Sequence, residues 1–146
     1  MKTKTVILTC LLLISITAQA DLPQGKWIVI QVTIEKNTDG DVQTAIYNTA
    51  TEVQSFIPSF KELDIKNTQA IVLRYSDSRE ETAEYILEGN QLTIMTAVAG
   101  KTFQYSTNGG NLTLTTTYNY VNNLPTGYTE HITENWTITL KKQSDL

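Results

Sequence analysis

Residues able to do acid–base, nucleophilic or metal chemistry are few in this 146-residue chain, which has one histidine, His131, and one cysteine, Cys10. Together they supply too few ligands for a zinc site of the usual nitrogen and sulfur type. The sequence also lacks a G-x-S-x-G elbow, a P-loop and a paired-glycine nucleotide motif. His131 falls on the polar side of an alternating segment, which places it at the surface. We therefore predict a protein that is not an enzyme and has no catalytic residue, metal or cofactor.

Glu134 is unusual because it falls on the apolar face of the segment Thr129–Lys141, between Ile132 and Trp136. Side chains two residues apart share one face of a strand, so this carboxylate points towards the predicted core. Burying an unpaired carboxylate costs several kcal/mol. Three interpretations stay open: the position is a solvated barrel rim, it is a wet cavity where Glu134 contacts a ligand, or it forms an ion pair with Arg74.

Several tyrosines, together with Phe103 and Trp136, fall on segments that are predicted to be strands. An apolar lining with a few polar groups is typical of small-molecule sites. The alternative is that these rings fill an ordinary core. The candidate ligand-binding residues are Tyr75, Tyr85, Phe103, Tyr105, Tyr118, Glu134 and Trp136.

Most of the chain after residue 26 alternates between apolar and polar residues and is rich in Thr, Ile, Val and Tyr, as strands are. Turn signals such as Glu88-Gly89-Asn90 and Asn108-Gly109-Gly110-Asn111 separate neighbouring segments, which predicts antiparallel hairpins. The predicted strands are Trp27–Glu35, Gln69–Tyr75, Thr82–Leu87, Gln91–Val98, Lys101–Ser106, Leu112–Tyr120 and Thr129–Lys141.

The middle of the chain has a weaker pattern. Val42–Tyr47 fits a strand, and Val121–Tyr128, with Pro125 and Gly127, fits a loop. Apolar residues at helical spacing predict a short helix or a covering loop over Thr51–Phe60. No alternation of strands with helices is present, so a parallel sheet is excluded. The expected fold is all-β and antiparallel with up-and-down connections, either a closed barrel of about eight strands or a sandwich.

Residues 1–20 have the features of a secretory signal peptide. Lys2 and Lys4 precede an apolar run too short to span a bilayer, and Ala18-Gln19-Ala20 is a small-residue cleavage pattern. A buried N-terminal helix is the alternative, but the segment is not amphipathic. The bulky Thr9 disfavours lipidation of Cys10.

Cleavage after residue 20 leaves one mature domain, residues 21–146. Loss of the two leader lysines leaves nine basic against fifteen acidic residues, a net charge of −6. This charge argues against nucleic acid and anionic lipid as partners. An exported chain without disulfides suits a bacterial envelope, so we expect a periplasmic or secreted protein with no transmembrane segment.

The sequence resembles the lipocalin-like (calycin-type) domains of exported proteins in Bacteroides and relatives. The motifs are Gly25-Lys26-Trp27 at the head of the first strand, and the hairpin Tyr85–Ile94 with its echo Phe103–Leu114. The resemblance covers about residues 22–142 and implies a lipocalin-like barrel. It further implies that Trp27 closes one end under a basic side chain from the last strand. Lys141 or Lys142 stands where the family usually has arginine, and Gly25, Trp27 and Lys141 are the expected closing residues.

Two functions follow as hypotheses. The first is an exported, non-catalytic binding protein for a small apolar or amphiphilic ligand, which the resemblance and the aromatic residues favour. The second is an inhibitor or immunity-type protein that binds another protein. Its candidate surfaces are the loop Tyr118–Thr129 and the region Val42–Phe60.

Overall fold

The computed structural model describes residues 22–49, 52, 60–66 and 69–146. The predicted signal peptide lies outside the described residues, and so does the predicted helix Thr51–Phe60 apart from Glu52 and Phe60. A short 3₁₀ turn, Gln143–Asp145, ends the chain. The described strands are β1 (Gly25–Thr38), β2 (Asp41–Tyr47), β3 (Phe60–Ile65), β4 (Ala70–Tyr75), β5 (Glu80–Glu88), β6 (Gln91–Met95), β7 (Gly100–Asn108), β8 (Asn111–Asn123) and β9 (Thr129–Lys142).

The strands form a closed antiparallel barrel. From β3 to β9 each strand pairs with the next one in the chain, and β9 pairs back onto β1 from Trp27↔Lys142 to Thr38↔Ile132. The barrel therefore has eight strands, and β2 is an extra strand beside β1. This confirms the predicted all-β, up-and-down barrel and excludes the sandwich. No helix in the described part of the chain is long and apolar enough to cross a membrane.

Strand β1 has two partners along its other edge. Gly25–Ile28 pairs with β3, and Val32–Thr38 pairs with β2, with a register shift between Val29 and Gln31. Because a bulge bends a strand and increases its twist, β1 can bend away from the barrel wall while it stays between β2 and β9 in the same nine-stranded sheet. We call this four-stranded extension the projecting sheet; it consists of Val32–Thr38, Asp41–Tyr47, Thr116–Asn123 and Thr129–Trp136.

The sequence did not predict β3. Its residues, FKELDI, do not alternate, and three consecutive side chains at its end, from Leu63 to Ile65, are buried. Among them is Asp64, which forms a salt bridge with Lys66. A buried carboxylate with a cationic partner breaks the pattern that marks a strand.

The strand predicted at Val42–Tyr47 is confirmed as β2. The prediction of a loop over Val121–Tyr128 was wrong at its start, because β8 extends to Asn123 and only Leu124–Tyr128 is left to connect it to β9.

Aliphatic side chains fill the barrel. Residues with no exposed surface come from six of the eight barrel strands, all but β5 and β7: Val32, Phe60, Leu63, Ile71, Leu73, Leu92, Ile94, Leu112, Leu114 and Ile138 among them. The rings of Phe60 and Phe103 meet edge to face across this core, with centroids 6.4 Å apart. An eight-stranded barrel is just wide enough for its own side chains to fill, and this one uses that width for packing.

Trp27 is buried where β1 starts and β9 ends. Its indole N–H donates a hydrogen bond of 2.9 Å to the carbonyl oxygen of Pro23. Lys142, rather than Lys141, is paired opposite Trp27, so Lys141 lies opposite Ile28 on the other face of the strand. Gly25 has φ +115°, and a Cβ there would lie 3.0 Å from Lys142 Cε. The close approach of Lys142 and the positive φ both explain why glycine occupies this position.

The alternation of faces makes a testable prediction at two adjacent residues of β8. Leu114 is fully buried, whereas Thr113 faces outwards. Leu114→Ala should lower the free energy of unfolding by about 2–5 kcal/mol because it leaves a cavity. Thr113→Ala should change it by less than about 1 kcal/mol. Urea denaturation measures both, and equal losses would contradict the assigned faces.

Candidate functional site

The structure places all seven predicted ligand-binding residues on the inner side of the wall, but at two different ends. Tyr85 and Tyr105 lie at the Trp27 end, where the Tyr85 N–H bonds to Gln69 O at 2.9 Å and the Tyr105 hydroxyl donates to Gly89 O at 3.4 Å. The other five residues lie towards the opposite end, where β3 begins and β4 ends. The seven therefore do not line one common pocket.

Tyr75 is tied to a neighbouring loop. Its hydroxyl donates to Glu81 Oε2 at 2.7 Å, and Glu81 Oε1 accepts the N–H of Ala97 at 2.7 Å. Burial, followed by the bond to Glu81, raises the pKa of Tyr75 to about 12. The Ala97 and Tyr75 hydrogen bonds lower the pKa of Glu81. Glu81 thus links Tyr75 to Ala97 of the β6–β7 loop.

Glu134 has two hydrogen-bond donors within the protein. The hydroxyl of Tyr120 donates to its Oε1 at 2.6 Å, and the indole N–H of Trp136 donates to its Oε2 at 3.0 Å. The Tyr118 ring meets that indole edge to face, with centroids 6.2 Å apart and planes at 90°. We call Tyr118, Tyr120, Glu134 and Trp136 the Glu134 cluster.

The ion pair between Glu134 and Arg74 was a wrong interpretation. Arg74 contacts Glu62 and Glu80 instead, on the strands that flank β4. The sequence also missed Tyr120 as the partner of Glu134. Tyr118 is the residue directly opposite Glu134, and Tyr120 reaches it diagonally, which only the β8–β9 register reveals. Its position two residues after Tyr118, on the same strand face, was the available signal.

A groove opens where β7 and β8 separate. The two strands pair only from Asn108↔Asn111 to Gln104↔Thr115, and above that point β8 pairs with β9 alone among the described residues. The groove has a volume of about 450 Å³. Its outer-facing lining is polar and uncharged, and Phe103, Thr116 and Trp136 lie on the inner face at its floor. The full lining is Gln91, Thr102, Phe103, Gln104, Thr115, Thr116, Thr117, Asn135, Trp136 and Thr137.

The groove offers hydrogen bonding along its walls, and the rings at its floor, Phe103 and Trp136, are 1% and 2% exposed. The Thr117 hydroxyl donates to Asn135 Oδ1 at 2.8 Å, which fixes one wall, while the amides and hydroxyls around it can donate or accept. None of the ten lining residues is charged. Within the described ranges, no group of three or more His, Cys, Asp or Glu side chains is placed to hold a metal ion. This lining can form hydrogen bonds with a neutral group.

The tip of the projecting sheet is held by Asp39, in the β1–β2 turn. Its Oδ2 accepts the hydroxyl of Tyr128 at 2.7 Å, and its Oδ1 accepts the N–H of His131 at 3.2 Å. The Asp39 N–H donates to the carbonyl oxygen of His131 at 3.2 Å. These bonds join the β1–β2 and β8–β9 hairpins. The His131 residue is exposed, as predicted.

Comparison with known proteins gives no match: no family model, no curated protein and no solved structure is similar to this chain. The lipocalin-like family therefore stays a prediction from Gly25-Lys26-Trp27 and the hairpin motifs, beside a barrel fold that the structure shows.

The Glu134 cluster predicts a shift in phenol titration. The hydrogen bond from the Tyr120 hydroxyl to the Glu134 carboxylate raises the pKa of Tyr120 to about 12. Ionisation of Tyr120 would place its negative charge beside that of Glu134. Glu134→Gln should lower this pKa towards 10. Burial raises the pKa of Tyr118, so that value should stay high in the variant. Tyrosine ring-carbon NMR across a pH titration separates the two residues, and an unchanged Tyr120 titration would contradict the contact.

The Asp39 contacts predict a dependence of stability on acid. Hydrogen bonds, first from Tyr128 and then from His131, lower the pKa of Asp39 below 3.8 in the folded protein. A lowered folded pKa gives stability that is present above the unfolded pKa and is lost as pH falls through the folded pKa. Tyr128→Phe should therefore destabilise the protein at pH 6, and its effect should shrink as the pH falls through the lowered pKa of Asp39.

The matched control is Asp41→Asn, which removes a carboxylate from the same turn without touching Tyr128. Asp41 accepts only a 3.3 Å bond from Gln43 among the contacts described. Urea midpoints at pH 2, 4 and 6 test both variants. A Tyr128→Phe effect that is constant with pH would show that Asp39 does not carry it.

Proposed function

We propose that this protein is an exported, periplasmic or secreted, non-catalytic binding protein that holds a small amphiphilic ligand in the groove between β7 and β8. The observation that carries the proposal is the composition of the groove: about 450 Å³ of space with an uncharged polar lining over Phe103 and Trp136. Small-molecule sites combine apolar surface with a few well-placed polar groups in this way.

Support for a site on the wall rather than on the barrel axis comes from the packed core. Phe60 and Phe103 contact each other within the barrel, and most of the aliphatic side chains around them have no exposed surface. An apolar ligand at the axis would have to displace this packing, which cores resist. In the groove, the apolar part of a ligand rests against the floor and its polar part bonds to Gln104, Thr115 or Asn135.

A second candidate function, binding of another protein, is favoured by exposed apolar side chains. Val42 is 53% exposed, Ile46 63% and Val121 54%, all on the outer face of the projecting sheet. Val98, at the β6–β7 loop, is 96% exposed. Val42 and Ile46 lie within Val42–Phe60, and Val121 lies within Tyr118–Thr129, the two surfaces that the sequence suggested. Val98 lies outside both. A pull-down from envelope extract that yields a stoichiometric protein partner would favour this function.

Occlusion of the groove tests the ligand proposal. Gln104 and Ser106 both face outwards on β7, but only Gln104 lines the groove. A fluorescent fatty acid serves as an amphiphilic probe, and mass spectrometry of the natively purified protein identifies any retained ligand. Gln104→Trp should fill the groove and weaken probe binding by roughly tenfold or more, about 1.4 kcal/mol.

Ser106→Trp is the matched control, because it adds the same ring two residues away and should leave probe binding unchanged. Equal probe affinity in the wild type and in both variants would place the probe elsewhere and refute the groove as its site. A protein that neither binds the probe nor retains a ligand would refute the proposal as a whole.

A further inference from the structure

The edge of β8 beside the groove has no partner among the described strands. Residues Thr116–Asn123 of β8 pair with β9 on one side, and the described part of the chain provides no strand on the other. Residues Gly100–Phe103 of β7 lie outside its ladder with β8. Every second residue of such an edge directs its N–H and C=O away from the sheet, so β8 presents about four residues' worth of unused bonding groups.

The β8 edge carries none of the features that normally prevent strand pairing. Proteins protect open edges with charged side chains, especially lysine, with proline, or with bulges. Residues Thr116–Asn123 read TTYNYVNN and contain neither a charge nor a proline. The facing edge of β7 differs, because it contains Lys101. An unprotected edge that lies next to an uncharged groove is suited to accept an added strand.

The volume of the groove matches that of a short peptide in an extended conformation. One residue of a strand in a sheet occupies roughly 160 Å³, from a rise of 3.3 Å, a strand spacing of 4.8 Å and a sheet spacing of 10 Å. A groove of about 450 Å³ therefore accommodates about three residues of extended peptide. A longer peptide would continue along β8 beyond the groove, towards Asn123.

We infer that the amphiphilic ligand of this groove is an extended, uncharged peptide segment that adds to β8 as a strand along Thr116–Asn123. The inference rests on the proposed function and names its ligand class. Alternate side chains of an added strand point to opposite faces. Apolar side chains of the peptide would therefore face Phe103 and Trp136, while those between them would lie beside the outer-facing Thr115, Thr117 and Asn135. Backbone hydrogen bonds supply affinity in this mode, and the alternate side chains supply specificity.

The probe is a capped seven-residue peptide in which threonine alternates with valine and phenylalanine. Backbone amide hydrogen exchange of the full mature protein, followed by NMR with and without millimolar peptide, is the readout. We expect exchange to slow by about tenfold or more at alternate residues of Thr116–Asn123, because only those N–H groups face the added strand. Slowed exchange at any other strand without an effect on β8 would overturn the inference.

Two substitutions of the same kind give a matched pair. Thr117 and Thr44 are both exposed threonines on outermost strands of the projecting sheet, β8 and β2. Thr117→Lys places a charge in the groove and should weaken peptide binding by roughly tenfold, because an unpaired charge there is desolvated by the peptide. Thr44→Lys adds the same charge at the far edge and should leave the affinity unchanged. An equal effect of the two lysines would overturn the inference.

Peptides N-methylated at odd or at even positions separate backbone pairing from side-chain contact. Addition to one edge requires at least one of the two series to lose binding, since methylation removes the N–H donors that face β8. Undiminished binding of both series would overturn the inference and leave a groove that recognises side chains alone. If the fatty-acid probe binds and responds to Gln104→Trp while no peptide binds, the proposed function stands and this inference falls.

Pairing of the edge with a second copy of the chain is a separate outcome. It would appear as protection of Thr116–Asn123 without peptide, rising with protein concentration, and as a dimer in analytical ultracentrifugation. That result would assign the open edge to self-association and overturn the peptide as its occupant.

Discussion

The ladder between β1 and β9 is the constraint on which the rest of the structure depends. It joins the first strand of the chain to the last, from Trp27↔Lys142 to Thr38↔Ile132, and so turns a linear series of hairpins into a barrel. Non-local pairing of this kind has to overcome the loop-closure entropy of the whole domain. The bonds from Asp39 to Tyr128 and His131 act at its far end, where they connect the two hairpin tips that β1 and β9 carry. Barrel closure and the joining of the two hairpin tips therefore depend on the same pair of strands.

Unequal strand lengths create the candidate site. Strand β8 has 13 residues, whereas β7 has nine and turns into the β6–β7 loop at Gly100. Because β8 and β9 pair along their full length, β8 continues after its pairing with β7 ends at Thr115. The groove is the space left by that divergence. No special sequence motif builds it, and the aromatic floor is simply core residues of the barrel that the separation of the strands brings within reach.

Side-chain alternation made most of the fold predictable, and pairing register explains what was not. Phe103 and Trp136 were assigned to the inner face correctly, because each lies on a strand with a clean period of two. Strand β3 was missed because the ion pair of Asp64 with Lys66 allows a carboxylate to be buried there. For Glu134, the pattern revealed a carboxylate on an apolar face, but not the Tyr120 hydroxyl that satisfies it. That contact, like the groove itself, depends on which residues of neighbouring strands stand opposite one another, and a one-residue shift would abolish both.

An open edge is an unusual feature for a closed barrel to keep, since closure is the means by which barrels remove their edges. Here closure is complete around the eight strands, and the open edges of the described strands lie outside it, on the part of β8 that extends past β7 and on the outer side of β2. The length of β8 beyond Thr115 is not needed to complete the barrel, and its uncharged sequence is a liability for aggregation unless something covers it. Under the proposed binding role, an added strand would cover this segment, which bears no protective charge, while its Tyr118 packs against the core. The polar, uncharged groove beside it provides the chemistry for that role.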